Sequence, residues 1–375
     1  MNAASTSLIV DSEELLAFCK ASADSLRLNI VRALSVESFG VLELCHIFDT
    51  TQSGMSHHLK ILSRAGLLQT RREGNSIFYR RALIPTDNPI SALITSLFDS
   101  VDKLTTLPVA IKRRCEEIHR ERAQHSREFF QKNADRLKDN QNLIAEFPHY
   151  AACITDLLFN EHWEERGTVI EVGPGESDLI DILCTEFESF IAVDNAEEML
   201  DKTREKARLG GYINASFVLG ELSDLDHTHK ADLIVLNMVL HHLASPHQVF
   251  NIATKLLKPG GRLLIADLCS HNQDWTRDAC GDLWLGFDPD DLDQWADDAA
   301  LEKGQSAYLG LRNGFQIQVR LYQSTSLPGS GRADYEKAKN EIAKNEIARN
   351  EKPREANESF NKDTSNRTFQ LKRDS

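Results

Sequence analysis

Apolar runs long enough to cross a membrane are missing from these 375 residues, although 41% of them are apolar. The opening MNAASTSLIVDSEE has no basic stretch ahead of an apolar one, so no secretory leader is expected and the predicted address is cytoplasmic, with no membrane partner. Paired cysteines are missing too. The seven present (Cys19, Cys45, Cys115, Cys153, Cys184, Cys269, Cys280) are odd in number and never spaced as Cys-x-x-Cys, which argues against a disulfide framework or structural zinc. Positive charge is outnumbered overall, 43 Lys and Arg against 57 Asp and Glu. A net charge of −14 argues against nucleic acid as a partner of the whole chain. Locally the balance reverses: residues 51–81 hold Lys60, Arg64, Arg71, Arg72, Arg80 and Arg81 against Glu73 alone, while 281–303 hold eight carboxylates against Lys303.

The stretch TVIEVGPGESD, from Thr168 to Asp178, is where the chemistry is expected. Val169, Ile170 and Val172 make an apolar run of strand length, and Gly173 and Gly175 then let the backbone turn tightly with no Cβ in a ligand's way. A second apolar run, Phe190–Val193, closes on Asp194. A glycine turn followed about twenty residues later by an acid at a strand end is the nucleotide-binding half of an open α/β sheet, the acid reaching ribose hydroxyls. The position where a dinucleotide site needs Gly or Ala is Asp178, whose charge would repel a pyrophosphate at a helix N-terminus. NAD and FAD are therefore disfavoured.

Strand and helix patterns continue through Ala215–Leu219, Asp232–Asn237 and Arg262–Asp267, and close on Ala307–Leu311 and Gln316–Tyr322 as an antiparallel pair. Glu171-x-Gly173-x-Gly175, DLIVLNMVLHHL and LLKPGGRLLIADL together resemble class I S-adenosylmethionine (SAM) methyltransferases, with Ser177 where a third glycine is common. DWTRDACGDLWLGF resembles the tail of such domains fused to ArsR modules. The resemblance implies a doubly wound, seven-stranded α/β domain over 151–325 with SAM as cofactor. It implies Gly173 and Gly175 under the methionine part, Glu171 towards its ammonium, Asp194 and Asn195 at the ribose, Glu221 and Leu222 flanking the adenine, and Asn237 at the methionine end. His241, His242 and His271 lie where a methyl acceptor would sit, the first two as candidate bases, although a histidine pair can also simply pack. No Asn-Pro-Pro-Tyr run follows the fourth strand, which disfavours amino groups of bases or glutamine as acceptors, and no cysteine cluster marks arsenic chemistry.

Towards the N-terminus, Glu13–Phe48 reads as three short amphipathic helices, with Asp24 and Ser38 as caps. A further helix, Gln52–Ala65, turns Met55, Leu59 and Leu62 inward and offers Gln52, Ser53, Ser56, His57, His58 and Lys60 on its outer side. Leu67–Arg72 and Ser76–Arg81 form a hairpin around Glu73-Gly74-Asn75, with Arg71 and Arg72 for DNA phosphates. SADSLRLNIVRAL, LELCHIFDTTQSGMSHHLKILSRAGLL and TRREGNSIFYRRA together resemble the ArsR/SmtB repressors. That implies a winged helix-turn-helix over 1–100, mainly α with a β-hairpin wing, a homodimer, and a double-stranded DNA operator. The family's paired-thiolate motif here reads Cys45-His46-Ile47, and the helix after the wing, Asn88–Val101, has no histidine, so no metal is expected. Residues 101–150 are expected to be a helical connector that spaces the two modules, Ile111–Asn140 forming one long exposed helix whose sparse apolar stripe suits a partner chain, or else a solvated linker helix. The repeats AKNEI, AKNEI, ARNEK mark 326–375 as a disordered tail.

The expectation is a DNA-binding regulator carrying a SAM-dependent methyltransferase domain that acts on a small molecule. The alternatives are a repressor that senses SAM or S-adenosylhomocysteine without turnover, and a methyltransferase whose winged helix only dimerises.

Overall fold

The computed structural model describes residues 12–325, apart from 75, 85–89, 161, 164 and 227–229. The expected tail, the hairpin residue Asn75 and the start of the helix expected from Asn88 lie outside the described residues.

The first part is α1 (Ser12–Ser22), α2 (Ser25–Ala33), β1 (Phe39–Gly40), α3 (Val41–Phe48), α4 (Gln52–Arg64), β2 (Leu68–Glu73), β3 (Ser76–Arg81) and α5 (Ser91–Leu104). Asp24 caps α2 by accepting from the Arg27 amide at 2.9 Å, and Thr51 caps α4 by accepting from Gly54 at 3.3 Å. Ser38 is not the cap of α3. The chain first makes the two-residue strand β1 against β3, and Glu43 then reaches back to the Gly40 amide at 2.7 Å. Met55, Leu59 and Leu62 are fully buried, as their spacing on α4 requires.

Next come α6 (Val109–Ile144) and α7 (Phe147–Phe159). The long helix is not an exposed spacer. Ile118 joins the core of the winged helix, while Ala134 and Leu137 pack with Ala196 and Met199 of the second module. Its apolar stripe is thus covered within this chain, where a partner chain was expected.

The second module follows as β4 (Thr168–Val172), α8 (Leu179–Glu186), β5 (Ser189–Asp194), α9 (Glu197–Gly210), β6 (Ala215–Leu219), β7 (Ala231–Asn237), α10 (Pro246–Leu256), β8 (Leu257–Leu268), α11 (Trp275–Cys280), α12 (Pro289–Asp298), β9 (Leu301–Gly310) and β10 (Gln316–Ser324). The seven strands lie in the order β6-β5-β4-β7-β8-β10-β9, with β10 antiparallel to both of its neighbours. This is the doubly wound, seven-stranded α/β sheet that the sequence implies. Helices cover both faces, so β4 is buried on both: Val169 joins one core, and Ile170 and Val172 join the other. The same alternation turns Glu171 into the apolar layer on the Val169 side.

Candidate functional site

The turn after β4 needs its glycines. Gly173 and Gly175 sit at φ of 59° and 52°, and a Cβ on Gly173 would lie 2.4 Å from Val239 Cγ2. Above this turn, at the carboxyl ends of the strands, opens a cavity of about 380 Å³. Seven of the eight residues expected on the cofactor side line it: Gly173, Gly175, Asp194, Asn195, Glu221, Leu222 and Asn237.

The eighth, Glu171, does not line the cavity. It is fully buried, with neither carboxylate oxygen hydrogen-bonded, and burial pushes its carboxyl up to about 7, offset in part by Ser177 and Lys206. Asp194 is 9% exposed at the end of β5 and accepts from the Ala196 amide at 2.9 Å. Burial pushes its carboxyl up to about 6 against the amides of Ala196 and Asn195. Asn237 donates to Ser177 Oγ at 3.3 Å, which leaves its buried Oδ1 without a partner. Asp178 and Glu176 face the same cavity, but each is ion-paired, Asp178 with Lys206 and Glu176 with Lys202.

Of the three histidines expected near an acceptor, only His242 lines the cavity. Burial and the neighbouring His241 hold it well below the usual imidazole range, so it is neutral. His241 lies behind it with Nδ1 2.7 Å from Asp267 Oδ1. Burial opposes its charge, but Asp267 and Asp282 outweigh that and push it up to about 9. His271 packs on Phe315 and accepts from the Gln273 amide at 3.3 Å, away from the cavity. Burial pushes it down to about 4. Part of the wall comes from two helices that no sequence pattern had placed there. Arg120, Phe130 and Leu137 come from α6, and Tyr150 from α7.

The outer side of α4 carries Gln52, Ser53, Ser56, His57 and Lys60 exposed, with His58 half-buried. The wing arginines are divided between two roles. Arg72 is exposed, donating at 3.0 Å to the Gly74 carbonyl. Arg71 instead points into the methyltransferase-like module, where it meets buried Glu73, the Gly286 carbonyl and, at 3.9 Å, Asp291. Arg80 pairs with the same Asp291, while Glu73 accepts from Leu285 at 2.7 Å and Arg277 at 2.9 Å. Part of the basic patch therefore neutralises part of the acidic one inside the molecule. Arg71 is not placed to meet a phosphate, because its guanidinium lies between carboxylates in a nearly closed interface.

Residues 24–70 match the family described as bacterial regulatory protein, arsR family. Nodulation protein NolR of Rhizobium meliloti is 30% identical over 102 residues, which are 84% of that protein and 27% of this chain. The chain belongs to the arsR family. Residues 164–305 of this arsR-family protein match a methyltransferase domain. An uncharacterized methyltransferase of Schizosaccharomyces pombe is 29% identical over 119 residues, 29% of this chain and 42% of that protein. An arsenite methyltransferase of Halobacterium salinarum is 32% identical over 79 residues, 21% of this chain and 20% of that protein. The chain thus spans less than half the length of these two methyltransferases. Among the described residues, no helix is long and apolar enough to cross a membrane.

Proposed function

We propose that this arsR-family chain binds double-stranded DNA as a homodimer and uses its methyltransferase domain to bind SAM and methylate a small molecule. The observation that supports this most is a cavity that receives cofactor-side and acceptor-side groups together. The residues fit the cofactor: two left-handed glycines leave room where a Cβ would clash, and Asn237 Oδ1 is a buried acceptor with no partner. Asp194 accepts from the ribose hydroxyls beside Asn195, Glu221 and Leu222 flank the base, and Asn237 holds the methionine end. Glu171 acts from beneath, through the loop or a water. When bound, SAM supplies an activated methyl group, so alignment and exclusion of water carry much of the rate. Phe130 and Tyr150 keep water out, and His242 presents a neutral imidazole to the acceptor. No cysteine lines the cavity among the described residues, which speaks against a thiophilic acceptor such as arsenite.

Exposed Gln52, Ser53, Ser56, His57, Lys60 and Arg72, with His58 beside them, contact DNA. Occupancy of the cavity alters operator affinity through α6. That helix lines the cavity with Arg120 and Phe130, and it holds the winged helix through Arg122, which reaches Glu43 at 2.6 Å and the Ser38 carbonyl at 3.1 Å. Isotopically labelled methyl groups from SAM should appear in a pooled metabolite extract. Turnover in no fraction, despite heat on SAM titration, would leave a SAM sensor in place of an enzyme. Fluorescence anisotropy on operator DNA with and without SAM tests the coupling, and equal affinities would remove it.

A further inference from the structure

Behind the cavity wall, three buried side chains from two distant segments converge. His241 and His242 lie on the single turn Leu240–His242 after β7, and Asp282 follows α11. They are 2%, 4% and 3% exposed, and one candidate ligand atom from each lies within 4.8 Å of the others. We propose that His241, His242 and Asp282 bind a divalent transition-metal cation of the zinc, cobalt or nickel class.

Three features carry this. The first is the orientation of His241. Its Nδ1 is held 2.7 Å from Asp267 Oδ1, which turns Nε2 towards Asp282 Oδ1 at 3.7 Å. A carboxylate behind the ring, fixing which nitrogen faces forward, is the usual support of a metal-binding imidazole.

The second is spacing. Asp282 Oδ1 is also 3.8 Å from His242 Nδ1, too long for a hydrogen bond in either case; that Nδ1 lies 3.3 Å from the Gly281 carbonyl, which leaves Nε2 as the ring's open nitrogen. Atoms that share a tetrahedral zinc at about 2.0–2.2 Å stand roughly 3.3–3.6 Å apart, so three atoms that now lie within 4.8 Å of one another complete the set by closing in by up to about 1 Å.

The third is unmet hydrogen bonding. Both Asp282 oxygens and His242 Nε2 are buried without a hydrogen-bond partner, and the neighbouring Thr276 hydroxyl donates to the Gln273 carbonyl. Buried polar atoms are seldom left this way unless something absent from the chain itself completes them. Two imidazoles and one carboxylate suit a borderline cation, whereas calcium or magnesium takes an all-oxygen set. Because His242 also lines the cavity, the cation would stand at the wall that an acceptor approaches. This inference rests on the histidine–aspartate geometry and is independent of SAM.

The test uses the full chain, stripped with a chelator and titrated with cobalt(II). The expected result is about one ion bound per chain, with visible absorption of a low-coordinate nitrogen and oxygen site. Asp282→Asn and His242→Gln should each weaken binding by tenfold or more. If a variant fails to fold, zinc X-ray absorption on the wild-type chain decides, with imidazole scattering and no sulfur expected. Three results would overturn the proposal: no binding in the micromolar range, sulfur in the first shell (Cys45 beside His46 being the alternative soft site), or folded variants that bind as the wild type does.

Discussion

Asp194→Asn should make the protein more stable and a poorer binder of SAM at the same time. Asn keeps the shape of Asp and can still accept from the Ala196 amide, which sits 2.9 Å from Oδ1. What it removes is a carboxylate that is 9% exposed and whose pKa is pushed from 3.8 to about 6, mainly by burial. A carboxyl raised on folding favours its protonated form. Its stabilising contribution is therefore complete below about pH 4 and is lost as pH rises through about 6. At 1.36 kcal/mol per pKa unit the loss amounts to about 3 kcal/mol, an upper figure because the cavity admits solvent. The variant should match the wild type near pH 4 and melt several degrees higher at pH 8. SAM affinity moves the other way. Two hydrogen bonds from ribose hydroxyls to a charged acceptor are worth about 1.5–3 kcal/mol each, so losing them weakens binding by roughly a hundredfold or more. Scanning calorimetry of the ligand-free chain across this pH range, with isothermal titration of SAM at pH 8, measures both. A variant that melts lower at pH 8, or that binds SAM within about threefold of the wild type, would refute the assignment of this carboxylate to the sugar.

Three further outcomes follow from the same geometry. Gly173→Ala places a Cβ 2.4 Å from Val239 Cγ2 at a φ of 59°, so it should cost about 1–3 kcal/mol in urea unfolding and abolish the heat of SAM binding. Asp291→Ala strips Arg80 of its partner inside the wing interface, where the carboxylate is 2% exposed, and should destabilise by about 3–5 kcal/mol. Adding Arg80→Ala to it should recover part of that loss, and a double variant that is worse than Asp291→Ala would exclude the pair. Arg72→Ala should lower operator affinity and the steepness of its salt dependence, whereas Arg71→Ala should lower melting temperature with the salt slope unchanged. Equal salt slopes lost in both would restore Arg71 to the DNA surface.

The sequence was legible wherever one segment fixes its own structure. β4, β5 and β6 lie where the apolar runs mark them; β4 and β5, inside the sheet, read as nearly continuous apolar runs because both faces are covered, and β6 is the half-exposed edge strand. The glycine turn and Asp194 were readable for a similar reason: a tight turn and an acid at a strand end are local requirements. Illegible were features that depend on a distant partner. The charges of Arg71 and Arg72 are equivalent in the sequence. Alternation along β2 turns one towards Glu73 and Asp291 and the other towards solvent, and nothing within the hairpin says which face will be covered. His241 and His242 are likewise adjacent, and only the fold sets one against Asp267 and the other on the cavity wall. For α6, sparse apolar positions read as an exposed helix, since a helix walled by two modules needs only one contact per turn or so with each.

The placement of α6 also limits how any ligand signal can travel. Arg114 donates to the Ile47 carbonyl at 3.0 Å, Arg122 grips Glu43, Ser126 donates to the His242 carbonyl at 3.1 Å, and Asn140 donates to the Ala279 carbonyl at 2.7 Å. One long helix is thus pinned to the winged helix at its start and to the methyltransferase domain along the rest, with the cavity beside its middle. A ligand can shift this arrangement only by its difference in affinity between two seatings of the helix. Groups that differ between seatings must therefore include residues of α6 itself, such as Arg120 or Phe130, and not only the glycine turn and Asp194. The DNA response should then follow what the ligand does at α6 more closely than how tightly it binds. Substituting Phe130 with Ala should reduce the change in operator affinity caused by SAM even where SAM binding is retained. An unaltered change in that variant, measured by anisotropy at saturating SAM, would place the route outside this helix.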